Sequence, residues 1–262
     1  MTTTTIMDDE PSESREISDR LSVDMLCVQA GNDEASSSAE ATTRLLVWLS
    51  PAFPVGSFAF SHGLEWAVHA GRIHDAASTI VWLETLLEHG ALRNDAVFAT
   101  CAWQAAVVGD MKRLREVNEL ALATSGSRER YLETTAQGNA FVAIVRKAWL
   151  TPTLERLFQS LRGDAAYPIA VATASAAHDV ALDDMLRFYA SALIQNLVSA
   201  TIRLSVIGHT DGQRVIATLL PSVANLARAA ASATLDDIGG AAFQSDIASM
   251  RHETQYSRLF RS

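Results

Sequence analysis

The sequence predicts an all-α protein: one bundle-like domain of nine or ten helices with no β-sheet. Three observations carry that. Apolar residues recur at helical spacing through most of the chain. Only 6 prolines and 13 glycines punctuate 262 residues, too few for many short strands joined by tight turns. Hydrophobic residues make up 48% and charged residues 19%, a composition that buries a core rather than staying unfolded.

Residues 1–43 read as a flexible acidic extension, rich in Ser, Thr and acids, with a short helix around Leu21–Val28. The net charge of −9 sits almost wholly there: this stretch carries −8 and the rest of the chain −1. The body therefore offers no polybasic surface, and nucleic-acid binding is disfavoured. The N-terminal MTTTTIMDDE has neither a basic nor an apolar leader region, and no apolar stretch reaches bilayer-spanning length. The expectation is a chain neither secreted nor membrane-bound. Two cysteines, Cys27 and Cys101, form no disulfide or zinc pattern and fit a reducing, cytoplasmic setting.

From residue 44 the pattern becomes helical. An apolar turn at Leu45–Leu49 runs into Ser50-Pro51-Ala52-Phe53-Pro54-Val55-Gly56, where two prolines and a glycine impose a loop. A helix is expected over Phe58–Ala70, then one capped by Asp75 and carrying Ile80, Leu83 and Leu87. Another spans Asp95–Val108 to Gly109. Leu114, Val117 and Ala121 mark one face of the next. Ser127 opens a longer helix that stops before Thr151-Pro152. Leu154, Leu157, Phe158 and Leu161 form an amphipathic stripe, and Tyr167-Pro168 starts an Ala-rich helix. Leu182–Ile207 reads as the buried centre of the domain. Asp211 caps a helix that Pro221 breaks or kinks before Val223–Ala233, and a last helix covers Ala242–Met250.

Chemical motifs are sparse. There is no GxxxxGK[ST] phosphate loop, no GxGxxG after a strand and no GxSxG elbow, so the chain is expected to be neither an enzyme nor the holder of a cofactor. His62, Glu65 and His69 share a helical face with His74 nearby, yet i to i+7 spans about 10 Å, too far for both histidines to hold one ion. They read as capped or surface histidines, with one ligand donated to a metal shared at an oligomer interface as the alternative. Ser57 and Ser61 read as local caps. Phe53, Val55, Phe58 and Phe60 form an apolar ridge, either pinned to the core or offered to a partner. The C-terminal residues 250–262 mix aromatics with arginines, the composition of a docking segment, on its own body or on another chain.

The segments Ser50–Glu65, Asn196–Ala200 with Arg203-Leu204, Gly208–Arg214, and Asp246–Glu253 with Tyr256–Phe260 resemble, in this order, the signature of the urease accessory protein UreF family. The likeness covers residues 44–262. Phe60 stands where a tyrosine is common, removing a hydroxyl from the ridge, and His209 where a glutamine is common. The resemblance implies a helical, non-enzymatic chaperone component that dimerises, binds a UreD-type (UreH-type) accessory protein, and with it recruits the GTPase UreG to the urease apoprotein for nickel insertion. It implies that Tyr256, Arg258, Leu259 and Phe260 belong to the surface for the UreD-type partner, and Gly56, Ser57, Phe58 and Glu65 to the surface near the GTPase. A direct nickel-binding role for histidines 62–74, with His62 and His69 as ligands, is the alternative.

Overall fold

A computed structural model describes Met1 and residues 39–261. The chain divides into two compact units, Met1–Ala41 and Thr42–Ser262. The expected helix at Leu21–Val28 and nearly all of the acidic extension lie outside the described residues.

In the second unit residues 42–48 are helical. Ten helices follow: α1 (Leu64–His69), α2 (Ala76–His89), α3 (Ala91–Val108), α4 (Met111–Ala123), α5 (Arg128–Ala148), α6 (Pro152–Ser160), α7 (Tyr167–Ala177), α8 (Leu182–Arg203), α9 (His209–Ala230) and α10 (Phe243–His252). Two short 3₁₀ turns, Ser57–Ala59 and Leu235–Asp237, complete the described residues, among which there is no strand.

The local signals fix most boundaries. Asp75 accepts from the Ser78 N–H at 2.8 Å in a reciprocal capping box, Ser127 accepts from Arg130 N–H at 3.1 Å, and Thr151 caps α6 ahead of Pro152. Each satisfies a backbone donor that a helix start leaves open. Gly109 ends α3 in the left-handed conformation at φ 70°. α3 itself begins at Ala91, four residues before the expected start.

Four expectations are corrected. Phe58–Ala70 is not one helix: after the 3₁₀ turn Phe60 is extended, and His62 (φ 55°) and Gly63 (φ 74°) are left-handed, so α1 starts only at Leu64. Leu182–Ile207 ends at Arg203 and is not the centre. That position belongs to α7, where every residue from Tyr167 to Ser175 is buried. Alanines and other small side chains let neighbours close round it, and it packs chiefly on α3 and α5. Pro221 sits inside the continuous helix α9, which starts at His209 with Asp211 in its first turn rather than as cap. A proline ring removes one backbone donation there without ending the helix when packing on both sides holds it; α9 packs along α8 and α2.

The aromatic core gathers at the start of the unit. Trp48 meets Phe141, Trp149 and His178 edge-on, and Phe53 lies on Phe141 and Trp149. This pins the proline loop. Phe53, Val55 and Phe60 are buried, so of the expected ridge only Phe58 is exposed, at 67%.

Candidate functional site

The first two turns of α5 carry Glu129, Arg130 and Glu133, all drawn inward, and organise two buried charge clusters. One ties down the C-terminal tail. Glu65 on α1, 6% exposed, accepts from the backbone N–H of Leu259 at 2.6 Å and of Phe260 at 2.9 Å. The fully buried His252, at the end of α10, has Nε2 2.9 Å from Glu65 and Nδ1 2.7 Å from Glu129. Each ring nitrogen thus meets a carboxylate oxygen, and an ionised carboxylate only accepts. Arg258 donates to the other Glu129 oxygen at 3.0 Å. The cluster thus sets His252 and Arg258 against Glu65 and Glu129, giving each buried carboxylate a partner. Burial pushes the Glu129 carboxyl up, against the pull of His252 and Arg258.

The second cluster ties down the loop before α1. His62 Nδ1 lies 2.8 Å from Glu133, and Arg130 donates to His62 Nε2 and, at 2.9 Å, to Glu133. Since Nε2 accepts, Nδ1 carries the ring hydrogen, and Nδ1 makes no hydrogen bond of its own although Glu133 lies 2.8 Å away. Burial alone would raise the Glu133 carboxyl, but His62 and Arg130 hold it down to about 2. Asp95, 3.6 Å from Arg130 and receiving the Tyr189 hydroxyl, is pushed up by burial.

The tail therefore docks on its own body. Phe260 is 3% exposed beneath the Arg203 guanidinium, 4.2 Å from its ring centre, and the Arg261 N–H donates to Ala59 O at 2.8 Å. Tyr256 and Leu259 face outward, Tyr256 wholly exposed and Leu259 61% exposed. The four tail residues singled out in the sequence thus split: Arg258 and Phe260 fix the strap, Tyr256 and Leu259 are presented by it.

The other group is divided as well. Phe58 is exposed, Gly56 and Ser57 are half-buried at the 3₁₀ turn, and Glu65 faces the tail rather than the surface. His62 is buried in an ion network, so its reading as a capped or surface residue is corrected; His69 and His74 are exposed. Ser61 caps α1 rather than a Phe58 helix, its Oγ accepting from Glu65 N–H at 3.4 Å. Among the described residues no three His, Cys, Asp or Glu side chains are grouped to hold a metal ion. No helix among them is long and apolar enough to cross a membrane.

Glu129, Arg130, Glu133, Asp95 and His252 were not singled out by sequence. A signal existed: Glu129, Glu133 and Gln137 stand at four-residue spacing in register with buried Phe141 and Val145, so polar groups continue a core stripe.

The UreF family model matches residues 73–220. Curated relatives named urease accessory protein UreF include those of Rhodopseudomonas palustris strain HaA2, 52% identical over 219 residues, covering 84% of this chain and 92% of the relative. That of Methylobacterium radiotolerans is 50% identical over 219 residues, covering 84% and 96%. That of Bradyrhizobium strain BTAi1 is 53% identical over 219 residues, covering 84% and 91%. With such identity over nearly the whole of each relative, the chain belongs to the urease accessory protein UreF family.

Proposed function

We propose that this chain is a helical scaffold which, with a UreD-type (UreH-type) accessory protein, brings the GTPase UreG to the urease apoprotein for nickel insertion, acting as a cytoplasmic homodimer within that complex. The observation that carries the reading is the strap. A segment rich in aromatic and arginine residues is held by buried charge so that Tyr256 and Leu259 stand in solvent. A large apolar side chain kept fixed and exposed suits a binding anchor, because ordering it has already been done before the partner arrives.

The test follows from the division of the tail. Tyr256→Ala and Leu259→Ala remove exposed anchors while leaving Glu65, His252 and Glu129 paired. Each is expected to weaken capture of the UreD-type protein by tenfold or more, with unchanged helical circular dichroism and melting. Wild-type capture by the double variant refutes the anchor assignment.

A further inference from the structure

An open cleft of about 780 Å³ lies between the start of α5 and the C-terminal strap. Arg128, Leu132, Glu253, Arg258, Leu259 and Arg261 line it, together with the buried Glu129. Of its three arginines, Arg258 is paired with Glu129. Among the described residues neither the Arg128 nor the Arg261 guanidinium has a carboxylate partner, and both residues are exposed. The acids of the wall are engaged within the fold. Glu129 meets His252 and Arg258, and Glu253 Oε1 accepts the backbone N–H of Arg128 at 3.0 Å. Arg128 is moreover the first residue of α5, the end of a helix where an anion is welcome and a cation is not. Folding alone does not ask for an arginine there. Two large apolar side chains stand beside these charges, Leu132 at 41% and Leu259 at 61% exposure.

We propose that this cleft receives an acidic segment of the protein that docks on Tyr256 and Leu259, its carboxylates meeting Arg128 and Arg261 and an apolar side chain covering Leu132 and Leu259. The proposal rests on the scaffold reading, in which that protein is the UreD-type partner. The sign of the charge selects the occupant. A carboxylate matches the planar fork of a guanidinium, whereas a basic segment would be repelled and a neutral one would desolvate two cations without pairing them. Leu259 selects the location, since it belongs both to the face the strap presents and to the wall of the cleft. Whatever covers it passes over the arginines. The volume is in the range of clefts that hold ligands far larger than an ion, which suits a stretch of chain.

Charge reversal in the full chain tests it. Arg128→Glu places an acid where the helix end tolerates one, and Arg128→Glu with Arg261→Glu reverses both free cations. Neither touches Glu65, His252, Glu129 or Arg258. Titration calorimetry against the UreD-type protein, at about 0.1 M and about 0.5 M salt, is expected to show wild-type affinity falling as salt rises. At low salt the double variant should bind about tenfold more weakly or worse, and the single variant part of the way there, each with a shallower salt dependence. Tyr256→Ala should weaken binding with the salt dependence kept. Arg228→Glu makes the same change of net charge from an exposed position on α9 outside the cleft, and should bind as wild type does. If the double variant melts early, Arg128→Glu alone decides. Wild-type affinity and salt dependence in a stably folded reversal overturn the acidic segment, and a loss in Tyr256→Ala then leaves the anchor reading standing. A gain of affinity on reversal identifies a basic occupant and overturns it, as does an equal loss in Arg228→Glu. A wild-type chain that does not bind the UreD-type protein overturns the scaffold reading and the cleft with it.

Discussion

Glu65→Gln keeps the size and shape of a buried side chain and changes only what it can accept. The carboxylate takes three donors: the N–H groups of Leu259 and Phe260 and the Nε2 of His252. An amide has one accepting oxygen, and whichever way it turns its NH₂ meets a donor. His252 is left with Glu129 as its one carboxylate partner. Hydrogen bonds to charged groups contribute about 1.5–3 kcal/mol each, and breaking a buried pair from one side costs about 3–5 kcal/mol. The expected loss is therefore about 3–5 kcal/mol. At roughly 2–4 °C per kcal/mol for a unit of this size, melting falls by on the order of 10 °C. The local effect is larger than the global one, because the tail is released first. Hydrogen exchange should show the Leu259 and Phe260 amides losing protection while α7 keeps its own. A variant destabilised by less than about 1 kcal/mol, with both tail amides still protected, refutes the role given to Glu65.

Three further outcomes test the packing and the second cluster. In Gly63→Ala the new Cβ lies 2.5 Å from the Ser249 backbone N at φ 74°, so denaturant unfolding should show a loss of about 3 kcal/mol or more; Gly56→Ala, at φ 73° with open space around it, should lose only about 1 kcal/mol. Glu133 has a folded carboxyl at about 2 against an ordinary 4.5. Its stabilisation is thus full above pH 4.5 and lost as pH falls toward 2, and unfolding measured across that window should lose its slope in Glu133→Gln. Arg203→Ala removes the cation over Phe260 from an exposed position, and a double-mutant cycle with Phe260→Leu should return a coupling of about 0.5–1 kcal/mol.

Helix caps were legible because capping is settled within four residues. Asp75, Ser127 and the Tyr167-Pro168 start needed nothing from elsewhere in the chain. What the sequence did not disclose is decided at a distance. The helix expected from Phe58 is interrupted where α10 crosses, since Gly63 must sit against the Ser249 backbone and no side chain fits between. Both α7 and α8 read as apolar, and the choice of centre turned on side-chain volume: α7 is wrapped on all sides, while α8 keeps Asp183, Gln195 and Arg203 toward solvent or the rim. Pro221 was read by its local cost, which the packing of α9 on two neighbours overrides. In the site, Phe58, Tyr256, Arg258, Leu259 and Phe260 were named from composition and resemblance. The charges that hold them were missed because Glu129 and Glu133 look like ordinary exposed helix residues until the partners at Glu65, His62 and His252 are known.

The division of the tail also decides which experiment can speak about binding. Removing residues 250–262 takes away Tyr256 and Leu259, and with them His252, Arg258 and Phe260. That leaves Glu65 and Glu129 as buried carboxylates without those partners, and each uncompensated charge costs several kcal/mol or takes up a proton. Lost partner capture by such a truncation would report repulsion inside the fold as readily as a missing surface. Substitutions confined to Tyr256 and Leu259 leave every member of the charge cluster in place, so a loss of binding there must come from the face the strap presents.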